Sequence, residues 1–299
     1  MKLIRPVAVT DAILTSSSVA ETDYTAYAGG TTYALGDRVR VVSGDVHQVY
    51  ESLQNANTGH TPASSPTWWL LVGATNRWKM FDDSVQAQTT NADSIAVVLT
   101  SPSRIDSVAV LNISAASARV TMTDAAEGVV YDNTVNLTSD SGITDWWAYF
   151  FEPIIRTIDL ALTDLPPYAG AALAITLTDT GATAACGECV VGLSRDIGTV
   201  EQGAKVGIQD YSVKEQDTFG NFTILERAFA KRANFTVWLA SSLTDALQNL
   251  LSTYRATPIV YVGSDTYNST IVYGFYKDFS VEIAYPNDSI CTIEIEGLT

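Results

Sequence analysis

Three cysteines come nearest, by type and spacing, to a chemical site in this 299-residue sequence. Cys186 and Cys189 are separated by two residues, the spacing of half a zinc or iron–sulfur site, and Cys291 could supply a third thiolate. Structural zinc takes four ligands, so a histidine, a carboxylate or another subunit would have to supply the fourth. The alternative is that all three are strand residues and that Cys291 faces the core within the alternating run ICTIEIE. We predict no metal site and no other cofactor.

Two histidines, His47 and His60, are the only candidates for a general base beside a serine or cysteine nucleophile. A strand position for His47 and a turn position for His60 favour solvated or hydrogen-bonded side chains. Acidic pairs such as Asp82 and Asp83 occur among 33 Asp and Glu residues, where chance pairs are expected. The sequence contains neither a phosphate-binding loop nor a dinucleotide-binding fingerprint. We therefore predict that the chain is not an enzyme.

Charge and hydropathy limit the partners. The sequence has 17 basic and 33 acidic residues, a formal net charge of -16, and no run of basic residues, which argues against nucleic acid as a partner. Its first residues lack an apolar stretch of signal length, and no segment approaches 18 consecutive apolar residues. These features predict synthesis in a cytoplasm and no membrane insertion.

The elements that would position any site are short β-type runs, and residues 24–75 form the first group of them. This stretch combines closely spaced aromatic residues with glycine-containing turns. A unit of about fifty residues buries little apolar surface and needs large side chains to hold it together. We predict a small β module whose core includes Tyr33, Tyr50 and Trp68.

The same stretch resembles the chitin-binding type modules that occur beside bacterial glycoside hydrolases and in bacteriophage tail proteins. The family usually carries an exposed aromatic pair, and its places fall near Gln54 and Asn55 here, so the scaffold matches better than the ligand platform. The substitutes for a sugar-stacking surface are Tyr27, Trp69, Trp146 and Trp147. The matching positions are Tyr33, Gly36, Asp37, Val39, Gly44, Tyr50, Pro62, Trp68 and Gly73.

Residues 76–195 contain evenly spaced runs rich in Val, Ile and Thr, which predict a β-sandwich. The order of RIDSVAVLNISAASARVTMTD, GVVYD and GECVVG resembles a galactose-binding-like jelly roll. An aromatic run from Trp146 to Phe151 interrupts the pattern, and it is interpreted either as a sugar platform or as core plus an interface.

Residues 196–299 predict a β-sheet domain with one α-helix. Gly220-Asn221 favours a hairpin turn, and an apolar stripe near residues 242–255 predicts the helix, with Ser242 as its N-cap and Asp245 as capping partner. The predicted fold is thus mainly β: an N-terminal arm (1–23), the module (24–75), the jelly-roll-like domain (76–195) and a C-terminal assembly domain (196–299).

The phrases DYSVKEQDTFGNFTILERAFAKR, RATPIVYV, KLIRPVAVTDAILTSS and TNRWKMFDD resemble tail-tip or baseplate proteins of long-tailed bacteriophages, a group that includes distal tail proteins. The resemblance implies a structural subunit of the virion tail, made in the host bacterial cytoplasm, that builds rings around the tail channel. It implies contacts with other tail proteins and with cell-surface polysaccharide, and it supplies no catalytic residues.

A mixture of apolar and charged residues near FTILERAFAKR predicts the assembly interface. Leu225 and Phe229 would anchor the contact while Arg227 and Arg232 lie at its rim. Such a contact favours a cyclic homo-oligomer, trimeric or hexameric because phage tails carry those symmetries. Two alternatives stay open from the sequence: a carbohydrate-binding adhesin, and an accessory module of a polysaccharide-degrading system.

Overall fold

The computed structural model describes residues 1–42, 45–139, 144–152, 155–216 and 218–299. Strands account for 53% of the chain and helices for 9%, and every named strand pair is antiparallel. The predicted mainly β fold with one substantial helix is confirmed.

The module contains a three-stranded antiparallel sheet in which the middle strand pairs with both neighbours. Its core consists of Tyr33, Val39, Tyr50 and Trp69, which converge because alternate strand residues point to the same face. The first five strands are β1 (Lys2–Pro6), β2 (Leu14–Ser17), β3 (Arg38–Val41), β4 (Gln48–Ser52) and β5 (Trp69–Ala74), and β3–β5 form the module's sheet.

The central region, residues 76–195, is organised around one very long strand. That strand bends near Gly181, which has a φ of +79° and lies where the register with its neighbour shifts. The elements are β6 (Thr89–Thr100), β7 (Arg104–Ile105), β8 (Ser107–Ser114), β9 (Ser117–Asp124), β10 (Gly128–Asn136), β11 (Thr138–Ser139), α1 (Trp146–Phe151), β12 (Ile155–Arg156), β13 (Leu160–Leu162), β14 (Tyr168–Ala169) and the long strand β15 (Ala172–Asp196).

The C-terminal region, residues 196–299, continues the sheet of the central region. The elements are β16 (Thr199–Val200), β17 (Lys205–Asp210), β18 (Val213–Gln216), β19 (Phe222–Leu225), β20 (Phe229–Ala240), α2 (Thr244–Thr253), β21 (Ile259–Val262), β22 (Ile271–Glu282) and β23 (Asp288–Gly297). The joined sheet has 14 strands. The hydrogen-bonded order along its main path is β10-β9-β15-β1-β21-β22-β23-β20-β16, in which the strands after β1 belong to the C-terminal region.

Strand β1, part of the segment expected as an N-terminal arm (residues 1–23), joins the two regions. It pairs with β15 on one side and with β21 on the other, so Lys2 lies opposite both Asp196 and Val262. Leu3 and Ile4 are fully buried in two different cores. Burial on both faces explains why a short apolar run near the start of the chain becomes an interior strand.

Helix α2 packs its apolar stripe onto the C-terminal sheet, with Leu247, Leu250 and Leu251 buried. Its start differs from the expected one. A 3-10 turn, Ser241–Leu243, precedes it, Leu243 occupies the N-cap position, and no side chain caps the helix. The expected capping box is absent because Ser242 lies within that turn.

Candidate assembly interface

Strands β17 to β20 form a long antiparallel arm at one end of the sheet. Asp210 pairs with Phe229 at the end of the β17–β20 ladder, and beyond it β18 and β19 form a separate two-stranded ladder. Strand β23 supports β20 only from Arg232 onward. The arm therefore extends past the strands that carry the C-terminal core.

The β18–β19 hairpin presents apolar side chains on both of its faces. Opposite residues of an antiparallel pair share a face, so Val213 and Leu225 lie on one side, while Phe222 and Ile224 lie on the other. Phe222 is 65% exposed and Ile224 is 67% exposed. A hairpin this short is marginally stable alone and gains stability when a partner covers an apolar face.

The edge strand β17 continues this apolar surface. Among the described residues it pairs only with β20, and its charged side chains lie at its ends, Lys205 and Asp210. Val206 and Ile208 between them are exposed. Natural edge strands commonly carry interior charges, prolines or bulges that prevent pairing with another chain, and the middle of β17 carries no charge or proline.

The four predicted interface residues lie on this arm but differ in how far their side chains are free to contact a partner chain. Leu225 and Phe229 are exposed, and Arg227 is exposed with its backbone N–H donating to the Ser212 hydroxyl. Arg232 instead lies 2.8 Å from the Glu294 carboxylate and also donates to Gln209. Arg232 thus links β20 to its neighbours β17 and β23, and it also lies beside the apolar surface.

A second apolar surface is the short helix α1. Its rings contact one another in two groups: Trp146 with Tyr149 and Phe150, and Trp147 with Phe151. Trp146 is 79% exposed, and the other four rings are also exposed. The β11–β12 ladder holds the base of the segment, where Arg156 lies 2.7 Å from the buried carboxylate of Asp179.

In the module, Trp69 fills the core position that the sequence predicts for Trp68, and Trp68 is the more open of the two. Trp69 is 2% exposed, contacts the Tyr33 ring edge-on and donates from its indole N–H to the His60 carbonyl. Trp68 is half-buried at the margin of the core and stacks on the His60 ring at 4.0 Å between centroids. Neighbouring strand residues point to opposite faces, so only one of the two can fill the core.

The four candidate sugar-stacking residues are not brought together as one platform. Trp69 is a core residue, and Tyr27 stacks on Tyr33 with 5.9 Å between ring centroids. Trp146 and Trp147 belong to α1 in the central region and remain exposed. Of the four, only this last pair offers open rings.

The three cysteines lie in two separate cores. Cys186 and Cys189 belong to the core of the central region, and Cys291 belongs to the C-terminal core. Burial raises the pKa of Cys291 to about 11 and raises the pKa values of the other two thiols, so all three favour the neutral form. Across the part of the chain that the structure describes, no three metal-ligating side chains come together.

His47 is buried directly before β4, and of the two environments that the sequence left open, solvated or hydrogen-bonded, it has the hydrogen-bonded one. Its Nδ1 lies 2.7 Å from Oε1 of Glu21, and its ring lies 4.8 Å from that of Trp78. Thr75 donates its hydroxyl to the same carboxylate oxygen. These contacts fix the segment before the module to the module itself, because Glu21 precedes the module, His47 lies within it and Thr75 ends it.

Glu188 lies beside the acidic pair Asp82 and Asp83 between the central and C-terminal regions, and the sequence alone did not single it out. Glu188 is 3% exposed, and its Oε2 has no hydrogen-bond partner. Burial, with the nearby charges of Asp83 and Asp82, raises the pKa of Glu188 well above its usual range. Tyr273 of β22 donates its hydroxyl to Asp83. Nothing in the run GECVVG signals this burial, since glutamate is rarely a core residue.

The chain matches no known protein-family model, and no curated protein sequence is detectably similar to it. Within the described residues, none of the helices combines the length and apolar character needed to cross a bilayer.

Proposed function

We propose that this chain is a structural subunit of the tail tip or baseplate of a long-tailed bacteriophage and that its C-terminal arm joins neighbouring copies into a ring. The observation that carries the proposal is the set of apolar side chains that β17–β19 present on both faces of the arm, all exposed except the half-buried Val213. We call this set the arm surface: Val206, Ile208, Val213, Phe222, Ile224 and Leu225.

Two physical features indicate that this surface binds another polypeptide chain, and the resemblance to ring-forming tail proteins makes a second copy the partner that we propose. Exposed apolar patches on an isolated chain usually mark interaction sites, because their burial removes hydrophobic surface from water. The free edge of β17 also leaves backbone donors and acceptors that a strand of a neighbouring chain can pair with. A contact that uses different surfaces on the two copies closes into a ring when its rotation permits.

The sequence resemblance to tail proteins supports the location, the virion tail, and a cyclic trimer or hexamer as the symmetry. In this proposal the arm surface faces the next subunit, while the module and the central region lie outside and contact other tail proteins. No catalytic step is assigned. The described cysteines and histidines engage in packing and hydrogen bonds, which agrees with a structural role.

The test is the mass distribution and electron-microscopic appearance of the full chain and of a Phe222→Ser, Ile224→Ser double variant. We expect rings from the parent chain and monomers from the double variant. A matched control is Val129→Ser on the edge strand β10, since Val129 is 65% exposed, the same as Phe222. A parent chain that stays monomeric at high concentration and with its tail partners, or a double variant that still forms rings, would contradict the proposal.

Exposure of Trp146 and Trp147 favours a second candidate, carbohydrate binding by α1. Flat, open aromatic rings stack on sugar rings, and in the module the corresponding surface is closed because Trp69 is buried. Titration of the full chain with bacterial polysaccharides, compared with a Trp146→Ala, Trp147→Ala variant, tests it. Saturable binding that the variant loses would support an adhesin role, and equal binding by both chains would remove α1 as the site.

A further inference from the structure

We propose that Glu188, Asp83 and Tyr273 form a proton-operated latch that holds residues 82–88 against the C-terminal region while Glu188 is neutral and releases them when it ionises. We call residues 82–88 the latch loop. The inference is independent of ring assembly, because all the groups involved belong to one chain.

The Glu188 side chain lies on the side of the sheet that faces the C-terminal region. Its strand partner is Leu111, which belongs to the third core together with Ile4, Val260 and Tyr273. One carboxyl oxygen, Oε2, is buried without a partner, while the backbone of Asp83 hydrogen-bonds to the carboxyl. An ionised carboxylate in this position would lack the donors that water supplies, so the neutral acid suits the closed state.

The latch loop is held against β15 and β8 by close contacts of its backbone. At Gly187 the backbone has no space for a side chain, since an added Cβ would lie 2.1 Å from the Val85 carbonyl oxygen. Asn112 donates its side-chain amide to the same carbonyl at 2.7 Å. Asp83 has a φ of +63°, a left-handed conformation that costs energy for a residue with a side chain.

Across the boundary, Tyr273 donates its hydroxyl to Asp83 and is the loop's polar contact with β22. This hydrogen bond spans two regions that are also joined through the strand ladder of β1, the third core and the Lys231–Asp159 ion pair. The loop can therefore open while these other contacts hold the two regions together.

Among the described residues, the charged and titratable neighbours of Glu188 include no cation. The latch loop contributes Asp82 and Asp83, β22 contributes Tyr273, and its own strand contributes Cys186 and Cys189. Strand β8 places an apolar residue, Leu111, opposite it. The nearby cations have other acids as partners: Lys79 acts on Asp82, and Lys231 pairs with Asp159.

The direction of the effect follows from proton linkage. Because the closed state favours the protonated carboxyl, opening of the loop releases a proton as pH rises above the ordinary range of a solvated glutamate. The equilibrium constant for opening then increases by at most about tenfold per pH unit for one group. Burial raises the pKa of Asp82 to about 6, so at higher pH the remaining dependence reports on Glu188.

Hydrogen–deuterium exchange of the full chain between about pH 5 and pH 8 tests the latch, with rates corrected for intrinsic exchange. We expect protection of the latch loop to fall with pH, several-fold to tenfold per unit, while protection of β15 and β22 stays constant. Glu188→Gln keeps the shape of the neutral acid and should give high protection that does not change with pH above about pH 6, where Asp82 no longer contributes. The matched control is Glu215→Gln, the same change at an exposed strand position, which should behave like the parent.

Two further variants separate the contribution of Asp82 from that of the Tyr273 hydroxyl. Asp82→Asn should retain the fall in protection above pH 6, and Tyr273→Phe should lower protection at every pH without changing its slope. Protection of the parent loop that is independent of pH would overturn the proposal, as would an unchanged slope in Glu188→Gln. Equal loss of protection in the loop and in β15 would also overturn it, because that result describes unfolding of the whole region.

Discussion

The module and the β18–β19 hairpin are both short antiparallel structures rich in large apolar residues, yet they place those residues in opposite ways. In the module, Tyr33, Val39, Tyr50 and Trp69 point to one face and bury one another. In the hairpin, Phe222 and Ile224 point to one face and Leu225 to the other, and all three remain exposed.

The difference shows that hydrophobic content alone does not make a self-sufficient unit. The module gains stability within itself because loops such as the segment with the Tyr33–Asn57 bridge bring aromatic side chains to one face of its sheet. The hairpin has no third strand and no loop over it in the described chain, so a partner must provide its hydrophobic burial. Three substitutions test this contrast, and the latch loop gives a fourth value for comparison, from the largest expected effect on stability to the smallest.

Trp69→Ala should have the largest effect, a loss of about 3 to 5 kcal/mol in the free energy of unfolding of the module. The reason is the removal of a buried indole that contacts Tyr27 and Tyr33. Chemical denaturation of the full chain, followed by hydrogen exchange in residues 24–74, measures it. A variant whose module is as stable as the parent's would show that the aromatic core does not hold the unit together.

The latch loop should show an intermediate effect that depends on pH. Burial raises the pKa of Asp82 to about 6, so its contribution to stability is complete below about pH 4 and is lost as the pH rises to about 6. Because the carboxyl is partly solvated, we expect a decrease on the order of 1 to 2 kcal/mol. Denaturant titrations of the parent and of Asp82→Asn measure the difference, and parallel curves would refute it.

Trp68→Ala should lower the free energy of unfolding by less than Trp69→Ala does, on the order of 1 kcal/mol. The substitution removes the stacking of Trp68 on His60 and only a half-buried side chain. The sequence predicts the reverse order, with Trp68 in the core. Measuring both variants under the same denaturation conditions decides between the two orders, and a larger loss for Trp68→Ala would support the order that the sequence predicts.

Phe222→Ser should have the smallest effect, within about 0.5 kcal/mol of the parent for the isolated chain. The side chain is already in water, so its replacement removes no burial. Thermal unfolding at low protein concentration, where copies are separate, measures this value. A destabilisation of several kcal/mol would mean that the hairpin packs within its own chain.

These contrasts also explain how far the sequence predicts the structure. The helix stripe of Leu247, Leu250 and Leu251 was predictable because a 3.6-residue period is local information. The Trp68–Trp69 order was not, since a shift of one residue in a strand reverses which side chain faces inward. The run FTIL is typical of a buried strand, and its exposure depends on the absence of a covering element, which no local pattern encodes.

The remaining features that the sequence did not reveal depend on residues far apart in the chain. Nothing near Glu188 indicates that Asp83 and Tyr273 approach it, because the three residues lie in different elements. Likewise, the apolar run LIRPV is compatible with either an arm or an interior strand. Its role as β1 is set by pairing with β15 and β21, which follow it by most of the chain length.

The position of β1 has a consequence for the order of events during synthesis. Lys2 pairs with Val262, and at roughly 5 to 20 residues per second a ribosome completes that partner strand roughly 13 to 50 seconds after β1. Throughout this interval one edge of β1 has no partner, so β1 cannot join the central and C-terminal regions until β21 has been made. A polypeptide that stalls after β15 but before β21 therefore offers an open strand edge to other nascent chains, and slow translation through this stretch should increase co-aggregation.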